Sequence, residues 1–303
     1  MDEIQTVIPQ ILMLFCIAAV GWILRRIHVF TNEVIKGVNS ITLKAAWPAM
    51  ILMTTQKDCT EESLQGFLIV FAFTLVLLLV LMVILGWGCA GLFKDRNNQV
   101  FTLLAVMPNA GFVGLPIIEA LYGSVGVLYL AAFLAAFNFV LWTVGVLLFS
   151  DFSLKNLKCM LNPGLIASVI GTLLFLLKIR LPSFALSTVK QLGSLTTPFS
   201  MLLLGARLDM IRLPILRELR LWAALVLKML VIPLAAVAVF HFLKVDPVVQ
   251  GVTILSFAMP SASAAQLFAE KYDRDVEFSI AGVSATMLVC ILTLPLIILI
   301  AGI

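Results

Sequence analysis

Charge is scarce in this sequence of 303 residues: Asp, Glu, Lys and Arg together make up 12%, about half the share of a soluble domain. Hydrophobic residues reach 62% and mean hydropathy is +1.14. Too little polar surface remains to cover a water-soluble globule. Histidine is nearly absent, with only His28 and His241, each near the edge of an apolar run. Neither GxSxG nor HExxH occurs, so an intramembrane hydrolase lacks its residues; no enzymatic role, catalytic residue, cofactor or metal is expected. The five cysteines, Cys16, Cys59, Cys89, Cys159 and Cys290, lie far apart with no CxxC pair, and read as small apolar packing residues. The net charge of +4 is not clustered on a soluble face, so nucleic acid is not an expected partner. The first apolar run follows Met1-Asp2-Glu3 without a basic leader or cleavage site, and reads as a retained helix.

What the chain does have is apolar runs. A helix needs about 20 such residues to cross a bilayer. Ten runs can be marked, at roughly 5–24, 34–54, 66–93, 99–121, 125–149, 163–179, 184–206, 219–242, 248–270 and 277–301. Lys and Arg sort the connections into two sets. Thirteen, including Arg25, Arg26, Lys94, Lys155, Arg207, Arg220 and Arg274, fall on one side; five, Lys57, Lys178, Arg180, Lys190 and Lys244, fall on the other. The richer set is expected in the cytoplasm, with both termini outside a multi-pass protein of the cell (inner) membrane.

The two halves echo each other. Met107-Pro108-Asn109-Ala110 recurs as Met259-Pro260-Ser261-Ala262 at an offset of 152, and Pro48 recurs as Pro198 at 150. Five spans per half is odd, so the second half enters the membrane inverted, as in many secondary transporters. The expected organisation is a first repeat at 1–150, a short cytoplasmic linker at 151–161 and a second, inverted repeat at 162–303. The fold class is all-α membrane protein, with broken, crossing helices four and nine.

Pro108, Pro116, Gly111 and Gly114 make a continuous fourth span untenable, and Pro260-Ser261-Ala262-Ser263 predicts a gentler break in the ninth. A break in lipid must face protein or a watery cavity. Matched breaks near mid-membrane point to a binding site, and half-helix N-termini suit an anion such as a carboxylate. Asn109, Ser261 and Ser263 can hydrogen-bond it, while Gly111 and Gly114 admit close backbone approach. The alternative makes these packing kinks, with Asn109 capping its own half-helix. Two cations lie deep in spans: Lys44, four residues before Pro48, and Lys228, five before Pro233. Each either pairs with carbonyls released by the following proline or lends positive potential to an anionic substrate. No carboxylate lies at that depth, which argues against a cation/proton exchanger. A channel and a non-transporting anion sensor are the rival readings.

Pro108-Asn109-x4-Gly114-Leu115-Pro116 and Ala258-Met259-Pro260, with Phe268-Ala269 and Tyr272, resemble the crossover motifs of the auxin efflux carrier family. Asn162-Pro163, Gly21 with Arg25-Arg26, Leu204-Gly205, and Lys228 followed by Pro233 also fit. The family holds plant auxin exporters and bacterial malonate- and malate-carrier members. The resemblance spans about Ile8 to Ile300. It implies ten helices with outward termini, a scaffold of spans one, two, six and seven that commonly dimerises, and a moving domain of the other six. It further implies an elevator-like displacement, substrate contact by Asn109, and Asn162 as a further candidate; Ala110 and Gly111, which adjoin Asn109, are candidate substrate contacts by position. Coupling to protons or sodium is left open. The linker is short, as in bacterial members, and Ser261 and Ser263 depart from the family pattern.

Overall fold

The protein, as a computed structural model, is described at residues 2–88, 98–150, 163–208, 215, 217–243 and 245–303. Among these the regular structure is helical, and the one extended pairing is an isolated bridge between Pro108 and Ser261. The linker, Asn162, Cys89 and Cys159 lie outside the described residues.

Among the described residues five helical stretches are long and apolar enough to cross a membrane: Gln5–Arg26, Glu61–Gly86, Ala110–Phe149, Leu219–Phe242 and Val276–Ala301. Pro163–Leu176 and Pro247–Ala258 are apolar but shorter. The other expected spans are helical but interrupted. Run 34–54 is Asn32–Ile41, a π turn at Thr42–Ala46 and Trp47–Thr55; run 184–206 divides into Ser183–Ser194 and Thr196–Arg207. Their polar residues, among them Asn39, Ser40, Thr196 and Thr197, also lower the hydropathy that length alone would raise. Runs 99–121 and 125–149 are separated by Gly123, whose φ of 58° turns the chain inside Leu115–Val140.

Proline accounts for several interruptions. The π turns Thr42–Ala46, Ala110–Gly114 and Leu227–Val231 each end two residues before a proline: Pro48, Pro116 and Pro233. A proline ring collides with the carbonyl four residues back, and a widened turn moves that carbonyl aside. Each proline then stands in the first turn of the α-helix that follows its π turn. Pro116 stands at the start of Leu115–Val140, directly after the π turn Ala110–Gly114, and the non-helical residues of this run are Met107, Pro108 and Asn109. The break in the ninth run is not gentle. Helix stops at Ala258 and resumes at Ala264, a longer gap than that between Val106 and Ala110.

Small residues set the closest approaches, as expected where lipid replaces water and helices associate by packing. A Cβ on Gly205 would overlap the Ala18 carbonyl oxygen, and one on Gly21 the Leu202 carbonyl oxygen. Asp2–Arg26 thus lies backbone to backbone on Thr196–Arg207. Residue Gly171, 150 after Gly21, lies on Thr55, 150 before Gly205, where a Cβ would sit 2.7 Å from the Thr55 Oγ1.

Helix ends repeat the same spacing. His28 and Lys178 have φ of 61° and 57°, and Gly123 and Asp273 have φ of 58° and 49°. Each pair is 150 residues apart. At the first pair the caps match bond for bond. The His28 amide donates to the Arg25 carbonyl and Val29 to Leu24, as Lys178 donates to Phe175 and Ile179 to Leu174. This is the left-handed C-terminal cap that closes a helix by a bond five residues back.

Candidate functional site at the helix crossing

The two breaks meet. The Asn109 amide donates to the Pro260 carbonyl at 2.7 Å, and the Ala262 amide donates to the Met107 carbonyl at 2.8 Å. Breaking the helices frees carbonyls that cannot stay unpaired in a buried place. Pro108 has no N–H for Leu104 one turn back, and the Ser261 hydroxyl donates to that carbonyl at 2.6 Å. Pro116 has none for Phe112, and the Thr197 hydroxyl donates there at 3.1 Å. The Ser261 amide donates to the Thr286 Oγ1 at 3.0 Å. The crossing is a hydrogen-bonded clip between the halves.

Ser261 is therefore committed to structure. Ser261→Ala is expected to leave the Leu104 carbonyl buried and unpaired, costing about 1–3 kcal/mol. Ser263→Ala, at a helix start with no side-chain cap bond, should cost under about 0.5 kcal/mol. Thermal melting of the two purified variants checks the difference.

Beside the clip lies a cavity of about 210 Å³. Its wall includes Asn109, Gly111 and Phe112 from the start of one half-helix and Ala262, Ser263 and Ala264 from the start of the other. Half-helix N-termini carry roughly half a positive charge each. Lys44 and Arg207 add two cations, and among the described residues the lining holds no acidic one. Trp47, Phe137 and Trp142 supply aromatic surface. The Trp47 ring lies on Gly111, where a Cβ would overlap it, and meets Phe112 edge to face at 4.6 Å.

Of the residues expected at a substrate, the structure brings Asn109, Gly111, Ser263 and Lys44 to this wall. Ala110, Ser261 and Lys228 do not line it, nor do the helix-break residues Gly114, Pro116 and Pro260; Pro108 does. The Asn109 side chain does not cap its half-helix, and Ser263 does not cap its own. Lys44 is on an exposed helix face. Lys228 is fully buried, and its Nζ donates to the Phe257 carbonyl at 3.0 Å. Its partner belongs to another helix, not to a carbonyl released by Pro233.

Other wall residues were not singled out from sequence. Arg207 is buried and pairs with Glu270 at 3.2 Å. The Asn138 Nδ2 donates to the Leu134 carbonyl at 2.9 Å and the Ser168 Oγ at 3.1 Å. Among the described residues, the buried Asn138 Oδ1, Gln266 Nε2 and Ser200 Oγ have no hydrogen-bond partner. Polar side chains in apolar runs were the available signal for Asn138 and Gln266. Arg207 gave none, since it stands at the end of its run.

Comparison with known proteins follows the same outline. A family model described as membrane transport protein matches residues 6–158 and 152–298. The chain is similar to an uncharacterized transporter of Methanocaldococcus jannaschii, 22% identical over 299 residues, covering 94% of this chain and 96% of that one. An uncharacterized transporter of Methanothermobacter thermautotrophicus is 24% identical over 302 residues, covering 94% and 95%. The uncharacterized transporter YfdV of Escherichia coli is 23% identical over 310 residues, covering 95% and 96%.

Proposed function

The chain belongs to the membrane transport protein family, the auxin efflux carriers, and from that premise we propose that it is a secondary transporter of a small organic anion, a mono- or dicarboxylate. The observation that carries this reading is the cavity at the crossing. Two half-helix starts, Lys44 and Arg207 surround it, and among the described residues no lining residue is acidic. Such a wall favours an anion by fixed dipoles and charges in a place partly shielded from water. Asn109, Ser263 and Lys44 bind the carboxylate; Gly111 lets it approach the backbone.

Ten spans in two inverted repeats form the architecture of this reading. The matched caps at His28 and Lys178, and at Gly123 and Asp273, support it. So does the reciprocal packing of Gly21 on Leu202 and Gly171 on Thr55. Spans one, two, six and seven form a scaffold and homodimer surface, and the crossing moves past it in an elevator-like displacement. The ion pairs support the two-sided charge count. Arg180 pairs with Asp58, both on the outer side; Arg207 with Glu270 and Arg220 with Asp275 join residues of the cytoplasmic side.

The test is uptake of labelled malonate and malate into liposomes holding the purified protein, with and without sodium and proton gradients. Saturable uptake is expected. Asn109→Ala should lower it at least about tenfold, the loss of one hydrogen bond to a charged group, with the variant still folded. Flux unchanged by Asn109→Ala moves the site; binding without flux makes the protein a sensor.

A further inference from the structure

The anion site leaves Lys228 unused, although it is a fully buried cation. It stands in the π turn Leu227–Val231, and among the described residues its acceptor is the Phe257 carbonyl. Phe257 is the second-last residue of Pro247–Ala258, the half-helix that ends at the crossing.

Three carbonyls of that last turn lose their helical donors. In an unbroken helix each would accept from the amide four residues on. For Ser256 that residue is Pro260, which has no N–H. For Phe257 it is Ser261, whose amide goes to Thr286. For Ala258 it is Ala262, whose amide goes to Met107. The turn is the negative end of a half-helix, buried, with freed oxygens, which is where a positive charge is favoured. In carriers built on broken helices, such C-terminal ends and unwound carbonyls coordinate the coupling sodium.

Lys228 brings its ammonium to that place on a tether. Among the described residues no carboxylate pairs with it, and the ionisable group facing it is Cys290. The other half-helix is built differently, since its freed Leu104 carbonyl takes a neutral hydroxyl from Ser261. The two halves share a clip but not a cation.

We propose that Lys228 is a built-in cation, occupying the position an alkali ion would take at the end of Pro247–Ala258. The second half-helix then holds its shape without sodium, and the crossing binds no sodium there. The inference concerns the ion and not the cargo, so it stands or falls apart from the anion reading.

Thermal melting of the purified full chain tests it without any flux measurement. Wild type is expected to melt at one temperature in sodium, potassium or choline chloride at equal ionic strength. Lys228→Ala and Lys228→Ser should melt lower in choline and regain roughly 2–4 °C in sodium or methylammonium, as ligand binding to the vacated place stabilises the fold. Lys228→Met, which fills the space without a charge, should gain nothing from either cation. Sodium-specific stabilisation of the wild type overturns the proposal. So does a folded Lys228→Ala that responds to no cation. Where the small variants are not recovered in choline, solubilisation is repeated in sodium and in methylammonium. Recovery there supports the proposal, and recovery in neither overturns it.

Discussion

Gly205→Val is expected to leave no folded carrier. The position has no free volume, because a Cβ there would overlap the Ala18 carbonyl oxygen and lie 2.7 Å from its carbon and 2.9 Å from the Trp22 amide nitrogen. All three are backbone atoms of a helix, so no side chain can rotate away. The two helices would have to separate. Filling a tight core with extra methyl groups costs about 1–3 kcal/mol even where neighbours yield. Here the neighbour cannot yield, and the loss should be on the order of 4 kcal/mol or more. In lipid the close contact is also what drives helices together, so separation forfeits the association itself. Size-exclusion profiles of detergent extracts should show aggregate or no protein. Gly37 is the control: it is exposed, and nothing lies within 4 Å of a Cβ placed there. Gly37→Ala should be neutral or slightly stabilising, by up to about 1 kcal/mol of helix propensity. A monodisperse Gly205→Val protein with wild-type melting would refute the packing account.

Arg207 and Glu270 should respond to mutation in opposite ways. Their side chains are 9% and 37% exposed, and Arg207 alone of the pair lines the cavity. Glu270→Gln leaves a buried guanidinium without its counter-charge, which is costly. Arg207→Met leaves a carboxylate already partly in water, which is not. Melting temperature should therefore fall further in Glu270→Gln. Uptake should fall further in Arg207→Met, about tenfold or more through a raised KM, because the cavity loses a charged hydrogen-bond donor. Added malonate should restore part of the stability lost in Glu270→Gln, since the anion replaces the missing carboxylate beside Arg207. A pair that only ties Thr196–Arg207 to Ala264–Lys271 would lower both quantities together in both variants, and that pattern would remove Arg207 from the site.

Much of this protein can be read along the chain. Composition settles the membrane class, because 12% charge cannot clothe a soluble surface of this size. Pro108 and Pro260 announce the breaks through covalent geometry alone, since a residue without an N–H behaves alike wherever it stands. The repeated Met-Pro dipeptides mark two sites that the fold does bring together, joined by backbone hydrogen bonds. Asn109, Gly111, Ser263 and Lys44 converge on one cavity, and each was legible as a polar, small or charged residue beside a break.

Depth along a run is a one-dimensional coordinate, and it misleads where a side chain has a choice of partners. Ser261 and Ser263 are equivalent in sequence, two hydroxyls flanking Ala262. Ser261 is taken by the carbonyl that Pro108 orphans 157 residues away, so only Ser263 faces the cavity. Lys44 and Lys228 look alike, each a few residues before a proline, yet one lines the cavity and the other is buried against Phe257. Arg207 stands at the end of its run, as a loop cation would, but Glu270 and the cavity wall receive it. Local chemistry determined the membrane class, the prolines that break the helices and the residue types able to meet an anion. The tertiary structure alone decided which of those groups stay free, because a carbonyl freed in a buried break draws whatever donor is near it, and partners are allotted by distance in space and not along the chain.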